Sequence, residues 1–308
     1  MKDLAFPAGN MKTLDRLEVG TRLGSHFDRK LDTDEPLVSI ITISLNAEKT
    51  IEQTIQSVIN QTYNSIEYLI VDGGSTDSTL DIIRKYDNQI DYWVSEPDRG
   101  TSDAINKGIQ LSCGAIISIL CADDFYEQDA VETIIGNYSA DTPKIYHGNM
   151  TRIDADTREK TFIVKPPDDL GRLFQGCAVN TPAAFVDRRI FEKHGLFNRD
   201  YKFADDHEFL LRVFLAGVEF EYIPKNITFM REGGRSHKHY NRACWESLNL
   251  SIRYGYPIPR AFFVFLITVL KKLVERRIAK WGPPMLKRYG SLNFLSLKNS
   301  TWHGNSEV

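Results

Sequence analysis

The feature that most constrains this chain is an alternation of apolar strands and amphipathic helices between residues 37 and 124. The segment LVSIITISLN is a continuous apolar run rich in β-branched residues. Such a run is typical of a strand that is covered on both faces of a parallel sheet. Apolar residues then recur at helical spacing from Ile51 to Ile59, and Asn46 is placed to cap that helix.

The alternation continues for three more strands, and strands that alternate with helices favour an α/β fold with a mostly parallel sheet. The predicted elements are strand 67–72, helix 78–87, strand 91–95, helix 101–111 and strand 115–120. The segment DGGSTDST connects strand 67–72 to helix 78–87, and we expect Asp77 or Ser75 to cap that helix.

After Asp124 the pattern becomes mixed. AVETIIGNY is typical of a helix, and KIYHGNM, KTFIVK and AAFVD are typical of strands. DDHEFLLRVFLAG predicts a further helix that ends at Gly217. No linker rich in Pro, Gly or Ser separates the two halves, so we expect one compact unit over 37–235. Residues 1–36 form an N-terminal extension that we expect to be partly ordered at most, and 236–308 form a C-terminal helical region.

Charge and cysteine content argue against a nucleic-acid-binding protein, a disulfide framework and a zinc site. The chain has 308 residues and a formal net charge of −3, whereas nucleic-acid-binding domains are usually basic. We therefore expect no nucleic-acid partner. The four cysteines form no C-x-x-C pair, which indicates reduced thiols in a cytoplasmic protein and neither a disulfide framework nor a zinc site. The first 20 residues lack the apolar segment of a signal peptide, which favours the same location.

Carboxylates stand where two predicted strands end. Asp72 ends the strand LIVD, and Asp123 and Asp124 follow the strand AIISILCA. In open α/β sheets ligands bind beyond the carboxyl ends of the strands, so we expect these carboxylates at one edge. Two adjacent carboxylates suit Mg²⁺ or Mn²⁺, and the glycines after Asp72 let a ligand approach the backbone. A plain strand–turn–helix connection and a solvated Asp-Asp turn are the alternatives.

The order of these motifs is specific. SLNAEKTIEQTIQSVINQTY, IEYLIVDGGSTDSTLDIIRKY, SEPDRGTSDAINKGIQLSCGAIISILCADDFY and ADDHEFLLRV follow one another along the chain. This series resembles the family 2 glycosyltransferases with the GT-A fold, particularly bacterial enzymes that build O-antigen, capsule or exopolysaccharide. The resemblance covers about residues 37 to 235. It implies a nucleotide-diphosphate sugar donor, with a UDP-sugar as first choice, a saccharide acceptor and inversion at the anomeric carbon.

The resemblance also implies roles for individual residues. Asp72 matches the aspartate that contacts the base, and Asn46 matches a residue that lines the nucleotide pocket. The donor-site segment is matched by three residues, Asp98, Arg99 and Asn106.

The carboxylates carry the remaining implied roles. Asp124 matches the direct ligand of Mn²⁺ or Mg²⁺, and Asp123 matches a ribose contact or a further group at the metal. Asp206 matches the catalytic base that removes a proton from the acceptor hydroxyl, and its neighbour Asp205 is the alternative base. A simple helix cap is the other interpretation of this second pair.

Two segments depart from the family pattern. VNTPAAFV places Asn180 and Thr181 where relatives carry a different polar pair, so we expect these two residues to contact the acceptor. REGGRSHKHYNR has two glycines that suit a mobile lid. There we expect His237 to reach the metal or the diphosphate and Arg235 to pair with phosphate. An exposed loop with surface histidines is the alternative.

The segment PIPRAFFVFLITVLKKLVERRIAKW has an apolar core followed by basic residues. The core, 261–270, is shorter than the roughly 20 residues that span a bilayer. Apolar residues next to basic ones suit a helix on an anionic membrane surface, so we expect membrane contact through 257–281. An ordinary amphipathic helix is the alternative. By analogy with the family, the acceptor would be polyprenyl-diphosphate-linked, at the inner face of the cytoplasmic membrane.

Other classes of protein fit the sequence less well. A nucleotide-dependent dehydrogenase would have G-x-G-x-x-G at the first strand–helix turn, where this chain has SLNAEKT. No P-loop motif is present. A sugar-phosphate nucleotidyltransferase would carry a glycine-rich basic segment near its first strand, and this sequence has none there. An inactive scaffold of a polysaccharide assembly complex stays open as the non-enzymatic alternative.

Overall fold

The computed structural model describes residues 17–20, 35–154, 159–233 and 239–281. The strands of this part of the chain are β1 Leu17–Gly20, β2 Val38–Ser44, β3 Ile66–Asp72, β4 Tyr92–Ser95, β5 Ile116–Cys121, β6 Phe125–Tyr126, β7 Lys144–Ile153, β8 Lys160–Val164, β9 Ala184–Asp187 and β10 Glu219–Arg231. The helices are α1 Ile51–Ile59, α2 Thr79–Lys85, α3 Thr101–Leu111, α4 Ala130–Ile135, α5 Arg188–His194, α6 Asp205–Leu215, α7 Tyr240–Arg253 and α8 Ile258–Trp281.

The described strands form one twisted sheet in the order β1-β4-β3-β2-β5-β9-β7-β10-β6, with β8 paired to β7. Strands β4, β3, β2 and β5 run parallel to one another. The predicted α/β class is therefore confirmed. Helix 101–111 was predicted at its observed bounds, and the other predicted elements before Asp124 begin or end within two residues of the observed ones.

Strand β2 lies at the centre of the sheet, and all seven of its residues are buried. Its side chains alternate between two apolar cores, as the pleat of a strand requires. Ile41 joins the core formed with α3, α5 and α6, and Ile40 joins the core formed with α1, α2 and α4. This burial on both faces explains the uninterrupted apolar run in the sequence.

The second half of the chain extends the same sheet. Strand β9 pairs antiparallel with β5 and with β7, and β10 runs parallel to β7. Helices α5 and α6 pack on the core that already contains β2, β3 and β5. The two halves therefore share one sheet and its two cores, and the carboxyl end of β5 lies near the start of α6.

Two details of local structure were not predicted. Residues Leu17–Gly20 of the N-terminal extension form an edge strand, in which β1 pairs antiparallel with β4 and Glu18 accepts a hydrogen bond from the Tyr92 hydroxyl at 2.6 Å. The expected cap is wrong, because Asn46 does not cap α1, which begins at Ile51 after Thr50. Its side chain turns instead to the next loop, where its Oδ1 accepts a hydrogen bond from Thr76 N at 2.9 Å.

Helices α7 and α8 follow the last strand. Leu250 of α7 is fully buried in the core that contains α6, so α7 is packed on the body of the protein. Helix α8 packs on α7, with the rings of Trp245 and Phe265 6.0 Å apart in an edge-to-face arrangement. No helix in the described ranges is long and apolar enough to cross a membrane.

Candidate active site

Asp72 lies at the carboxyl end of β3 and is fully buried. Its carboxylate accepts hydrogen bonds from three serine hydroxyls and two backbone N–H groups. The donors and distances are Ser44 Oγ 2.7 Å, Ser75 Oγ 2.5 Å, Ser95 Oγ 2.7 Å, Gly74 N 3.1 Å and Ser75 N 2.8 Å. Ser44 ends β2 and Ser95 ends β4, so this carboxylate joins the ends of three adjacent strands to the loop that follows β3.

This geometry gives Asp72 a structural role. Both carboxylate oxygens already accept two or more hydrogen bonds, and the side chain has no contact with solvent. A nucleotide base would have to displace one of these internal donors to reach it. Asp72 therefore positions the loop, and its contact with a base stays a prediction.

The loop that Asp72 holds forms an exposed rim with the first turn after β2. Asn46 has positive φ, 50°, and its N–H donates to Ser75 Oγ at 2.7 Å. Asp98 lies directly beside this loop, since a Cβ on Gly73 would overlap its carboxylate. Arg99 is exposed next to it. Three of the predicted donor-site residues, Asn46, Asp98 and Arg99, therefore lie on accessible loops around the ends of β2, β3 and β4.

Asn106 has a different place from the predicted one. It is buried in α3, its Nδ2 donates to Phe197 O at 2.8 Å, and its Oδ1 accepts from Phe197 N at 3.0 Å. Both ends of the amide are thus used to hold the chain before α6. Asn106 is therefore a buried support for the backbone at Phe197 and does not line the donor site.

Asp123 and Asp124 follow β5 and lie next to Cys121. One ligand atom from each of these three residues falls within 4.8 Å of the others. Asp124 is buried and Asp123 is half-buried. Arg231, at the end of β10, donates its backbone N–H to Asp124 Oδ1 at 3.2 Å and its guanidinium to Asp123 O.

The charges of this pair are poorly compensated by the protein alone. Burial raises the pKa of Asp124 well above its ordinary value, and the charge of Asp123 raises it further. Burial also raises the pKa of Asp123, which the nearby Arg231 lowers only in part. A divalent cation would favour the ionised form of both groups, because an adjacent positive charge offsets the cost of burial.

Asp205 and Asp206 open helix α6 and differ in their surroundings. Asp205 is buried and accepts a hydrogen bond from Ser102 Oγ of α3 at 2.7 Å. Asp206 is half-buried, and its Oδ2 lies 3.2 Å from Thr181 Oγ1 and 3.7 Å from Cys177 Sγ. Asp206 is therefore the accessible member of the pair.

The charges of all four carboxylates act on Cys121. Burial raises the pKa of the Cys121 thiol, and the negative charges of Asp124, Asp123, Asp205 and Asp206 raise it further. The end of β5 and the start of α6 are thus within electrostatic reach of each other. The sequence did not single out Cys121, although its position two residues before Asp123 was a usable signal.

The two residues expected to contact the acceptor are only partly brought to the site. Thr181 lies against Asp206, as described above. Asn180 is buried, and its Nδ2 donates to Val164 O at 3.0 Å and to Gly148 O at 3.3 Å, so it fixes the backbone instead. His237 and Arg235 lie outside the described residues.

Comparison with known proteins identifies the family. The family model described as glycosyl transferase family 2 matches residues 39–212, which is more than half of the chain. The chain belongs to the family 2 glycosyltransferases.

Sequence relatives of this glycosyltransferase come from several bacteria. An uncharacterized glycosyltransferase of Mycobacterium tuberculosis is 33% identical over 189 residues, which cover 60% of this chain and 71% of the relative. A PGL/p-HBAD biosynthesis glycosyltransferase of Mycobacterium bovis is 28% identical over 226 residues, 71% of this chain and 87% of the relative.

Solved structures share the fold at lower identity. A mannosyltransferase from Pyrobaculum calidifontis in complex with GDP-Man and Mn²⁺ has a TM-score of 0.58 and 18% identity, over 86% of this chain and 82% of that one. S. aureus TarS 1–349 in complex with UDP-GlcNAc has a TM-score of 0.54 and 15% identity, over 79% and 73%. This chain covers 44% of the longer TarS chain. These neighbours support the GT-A fold.

The first prediction concerns Asp72 of this glycosyltransferase. Asp72→Ala should lower the free energy of unfolding by about 3 kcal/mol or more, because five donors, four of them in buried hydrogen bonds, lose their acceptor. Urea unfolding followed by circular dichroism measures the change. The matched control Asp81→Ala, at an exposed carboxylate of α2, should change it by about 0.5 kcal/mol or less. Wild-type stability of Asp72→Ala combined with lost nucleotide binding would instead support a base contact.

The second prediction concerns the pH dependence of stability. Burial, followed by repulsion from Asp206, raises the pKa of Asp205 from 3.8 to about 6. Because the folded state binds this proton more tightly than the unfolded state, ionisation of Asp205 destabilises the fold above about pH 6 and not below about pH 4. Asp205→Asn should therefore raise the melting temperature by a few degrees at about pH 7.5 and leave it unchanged at about pH 3.5.

Melting curves at the two pH values test this sign. Asp141→Asn is the control, since Asp141 is exposed, and it should shift neither curve. A variant Asp205→Asn that melts below wild type at about pH 7.5 would show that the ionised carboxylate stabilises the fold.

Proposed function

We propose that this glycosyltransferase moves a sugar from a nucleotide-diphosphate sugar to a hydroxyl of a saccharide acceptor, with inversion at the anomeric carbon. The observation that supports the proposal is the grouping of Asp123 and Asp124 at Cys121, with Asp205 and Asp206 within electrostatic reach of the same thiol. Asp123 and Asp124 are suited to a metal ion that would bind the diphosphate. Of the second pair, Asp206 is accessible to an acceptor. The rim formed by Asn46, Asp98 and Arg99 would receive the nucleotide.

The proposed cofactor is Mn²⁺ or Mg²⁺. The carboxylates of Asp123 and Asp124 are hard oxygen ligands, and their buried charges lack a full counter-charge from the protein. The residues therefore fit a divalent cation, with Asp124 as the proposed direct ligand and Asp123 beside it. Such a cation, when bound, stabilises the negative charge of the leaving diphosphate. A fold neighbour has been solved in complex with Mn²⁺, which agrees with this assignment.

The proposed reaction is a single displacement. The acceptor oxygen attacks C1 of the sugar from the side opposite the diphosphate, the C1–oxygen bond to the diphosphate breaks, and the nucleoside diphosphate leaves. The hydroxyl proton passes to a carboxylate oxygen of Asp206. Asp206 is suited to this role because it is half-buried at the site, whereas Asp205 is buried and bonded to Ser102.

Two neighbours would orient the base. The Thr181 hydroxyl and the Cys177 thiol both lie against Oδ2 of Asp206 and can donate to it. The other oxygen, Oδ1, accepts from His207 N at 2.7 Å. These contacts hold the carboxylate plane in one orientation, which is the geometric requirement for proton removal. Thr181 is also placed to contact the acceptor.

We propose a UDP-sugar as the first candidate donor and a GDP-sugar as the alternative. Both nucleotide classes occur among the fold neighbours, since TarS has been solved with UDP-GlcNAc and the mannosyltransferase with GDP-Man. For the acceptor we propose a lipid-linked saccharide of a bacterial surface polysaccharide, such as a polyprenyl-diphosphate-linked oligosaccharide. The enzyme would then work in the cytoplasm at the inner face of the cytoplasmic membrane.

Helix α8 supports the membrane part of this proposal. One side of it packs on α7, where Ala261 is buried. The other side exposes a row of large apolar side chains at helical spacing, Ile258, Phe262, Phe263, Leu266, Leu270 and Val274, each at least half exposed. Arg260 and Arg277 are exposed on the same helix. Apolar side chains flanked by basic ones suit a surface with anionic lipid headgroups.

The base assignment is tested by Asp206→Asn. The variant should bind the donor with a Kd within about twofold of wild type and lose transfer by about 100-fold or more, because only proton removal is impaired. Donor binding by calorimetry and transfer by mass spectrometry measure the two effects. Asp200→Asn, just before the site, is the control and should keep wild-type transfer. A wild-type rate in Asp206→Asn would exclude it as the base. Wild-type protein that binds donors and transfers sugar from none of them would favour the alternative function, an inactive scaffold of a polysaccharide assembly complex.

The membrane contact is tested by flotation with vesicles. Wild type should bind vesicles that contain anionic phosphatidylglycerol more tightly than neutral phosphatidylcholine vesicles, and salt should weaken the binding. The double variant Phe262→Ser/Phe263→Ser should lose about tenfold in affinity, because it removes exposed apolar area. Ile163→Ser, at an equally exposed residue of β8, is the control. Equal binding by all three proteins would leave α8 without a role at the membrane.

A further inference from the structure

Helix α7 lies beyond the residues matched by the family model, yet it contacts the start of α6, the helix that carries the proposed base Asp206. Its Glu246 is half-buried, and Oε2 of its carboxylate accepts three consecutive backbone N–H groups. The donors are Lys202 N at 3.0 Å, Phe203 N at 2.8 Å and Ala204 N at 3.2 Å. These residues directly precede Asp205 and Asp206.

This contact fixes the segment that leads into α6. Ala204 occupies the position before the helix, and its methyl side chain cannot accept a hydrogen bond. Glu246 accepts the N–H of Ala204 and of the two residues before it, so a separate helix anchors the entry to α6. A negative charge near the N-terminus of α6 is also favoured by the helix dipole.

The same face of α7 makes further contacts with α6. Ser247 Oγ lies 3.3 Å from His207 Nδ1, and the hydroxyl of Tyr254 donates to Glu208 Oε1 at 2.7 Å. Leu250, between them, is fully buried. The contacts therefore bracket Asp205 and Asp206 on both sides along the chain, from residue 202 to residue 208.

We infer that Glu246 is a positioning residue for the catalytic base, because it anchors the segment from which Asp206 projects. The inference rests on the proposed function, in which Asp206 removes the acceptor proton. The carboxylate of Asp206 is oriented by Thr181 Oγ1 at 3.2 Å and by the N–H of His207 at 2.7 Å. The position of the residue as a whole is set by the backbone that Glu246 anchors, and a displacement of about 1 Å in a reacting group can cost 100-fold in rate.

Glu246→Ala tests this role, with Glu246→Gln as the conservative variant. Glu246→Ala should lower kcat by about tenfold and leave the donor Kd within about twofold, since the donor side of the site is untouched. Glu246→Gln keeps one amide oxygen as an acceptor and should recover part of the loss. Glu192→Gln, at an exposed glutamate of α5, is the control and should match wild type.

A second measurement does not depend on turnover. Hydrogen–deuterium exchange should be faster in residues 200–208 of Glu246→Ala and unchanged in 66–75, because three N–H groups lose their acceptor. A wild-type kcat in Glu246→Ala would overturn the inference, whatever the exchange. Equal losses of kcat and donor binding would also overturn it, since they would indicate a general structural role.

The outcome is distinguishable from a failure of the proposed function. If wild type transfers sugar and Glu246→Ala does so equally well, only the inference fails. If wild type transfers no sugar from any donor, the proposed function fails, and exchange in 200–208 decides whether Glu246 anchors this segment.

Discussion

The arrangement of the site depends on one buried carboxylate. Asp72 accepts hydrogen bonds from the last residues of β2 and β4 and from the loop after β3, so a single side chain fixes the relative positions of three loops. A neutral side chain could not satisfy as many donors in so small a volume. The strand therefore ends on an aspartate because the ends of its neighbours are joined there, and the rim proposed to receive the nucleotide lies next to this junction.

Charge is the second constraint. Asp123 and Asp124 lie next to Cys121, the charges of Asp205 and Asp206 also act on it, and burial raises the pKa of Asp123, Asp124 and Asp205. Such a cluster is unfavourable in the absence of cations, and Arg231 offsets it only in part. In the proposed function a divalent cation would supply the positive charge that compensates this cost. The buried carboxylates thus lower the stability of the fold while they serve the proposed reaction, a trade-off that is common at active sites.

The sequence predicted the core of the fold well because its signals are local. Strand β2 and helix α3 could be located from apolar periodicity alone, since a buried parallel strand and a packed helix leave distinct patterns. The pair Asp123–Asp124 could be placed by the rule that parallel strands end at one edge. The edge strand β1 was missed, because four residues in a polar segment carry too little periodicity.

Individual side-chain roles were harder to predict, because they depend on contacts between distant parts of the chain. Asp72 and Asn106 were expected to touch the donor, and both are buried in internal hydrogen bonds. Ser102 and Glu246 were not predicted at all, although they contact Asp205 and the segment before it from residues far apart in sequence. A motif reports that a residue type is required at a position, and it does not distinguish a ligand contact from the support beneath one.

The central claim is that the Asp123–Asp124 pair binds a cation that in turn binds a nucleotide-diphosphate sugar. Isothermal titration of UDP- and GDP-sugars into wild type and Asp124→Asn, each with and without Mn²⁺, tests it most directly. The account predicts that Mn²⁺ tightens the binding of one nucleotide class by about tenfold or more in wild type and has no effect in Asp124→Asn. Equal binding by both proteins with and without Mn²⁺, or binding of no donor by either, would contradict it.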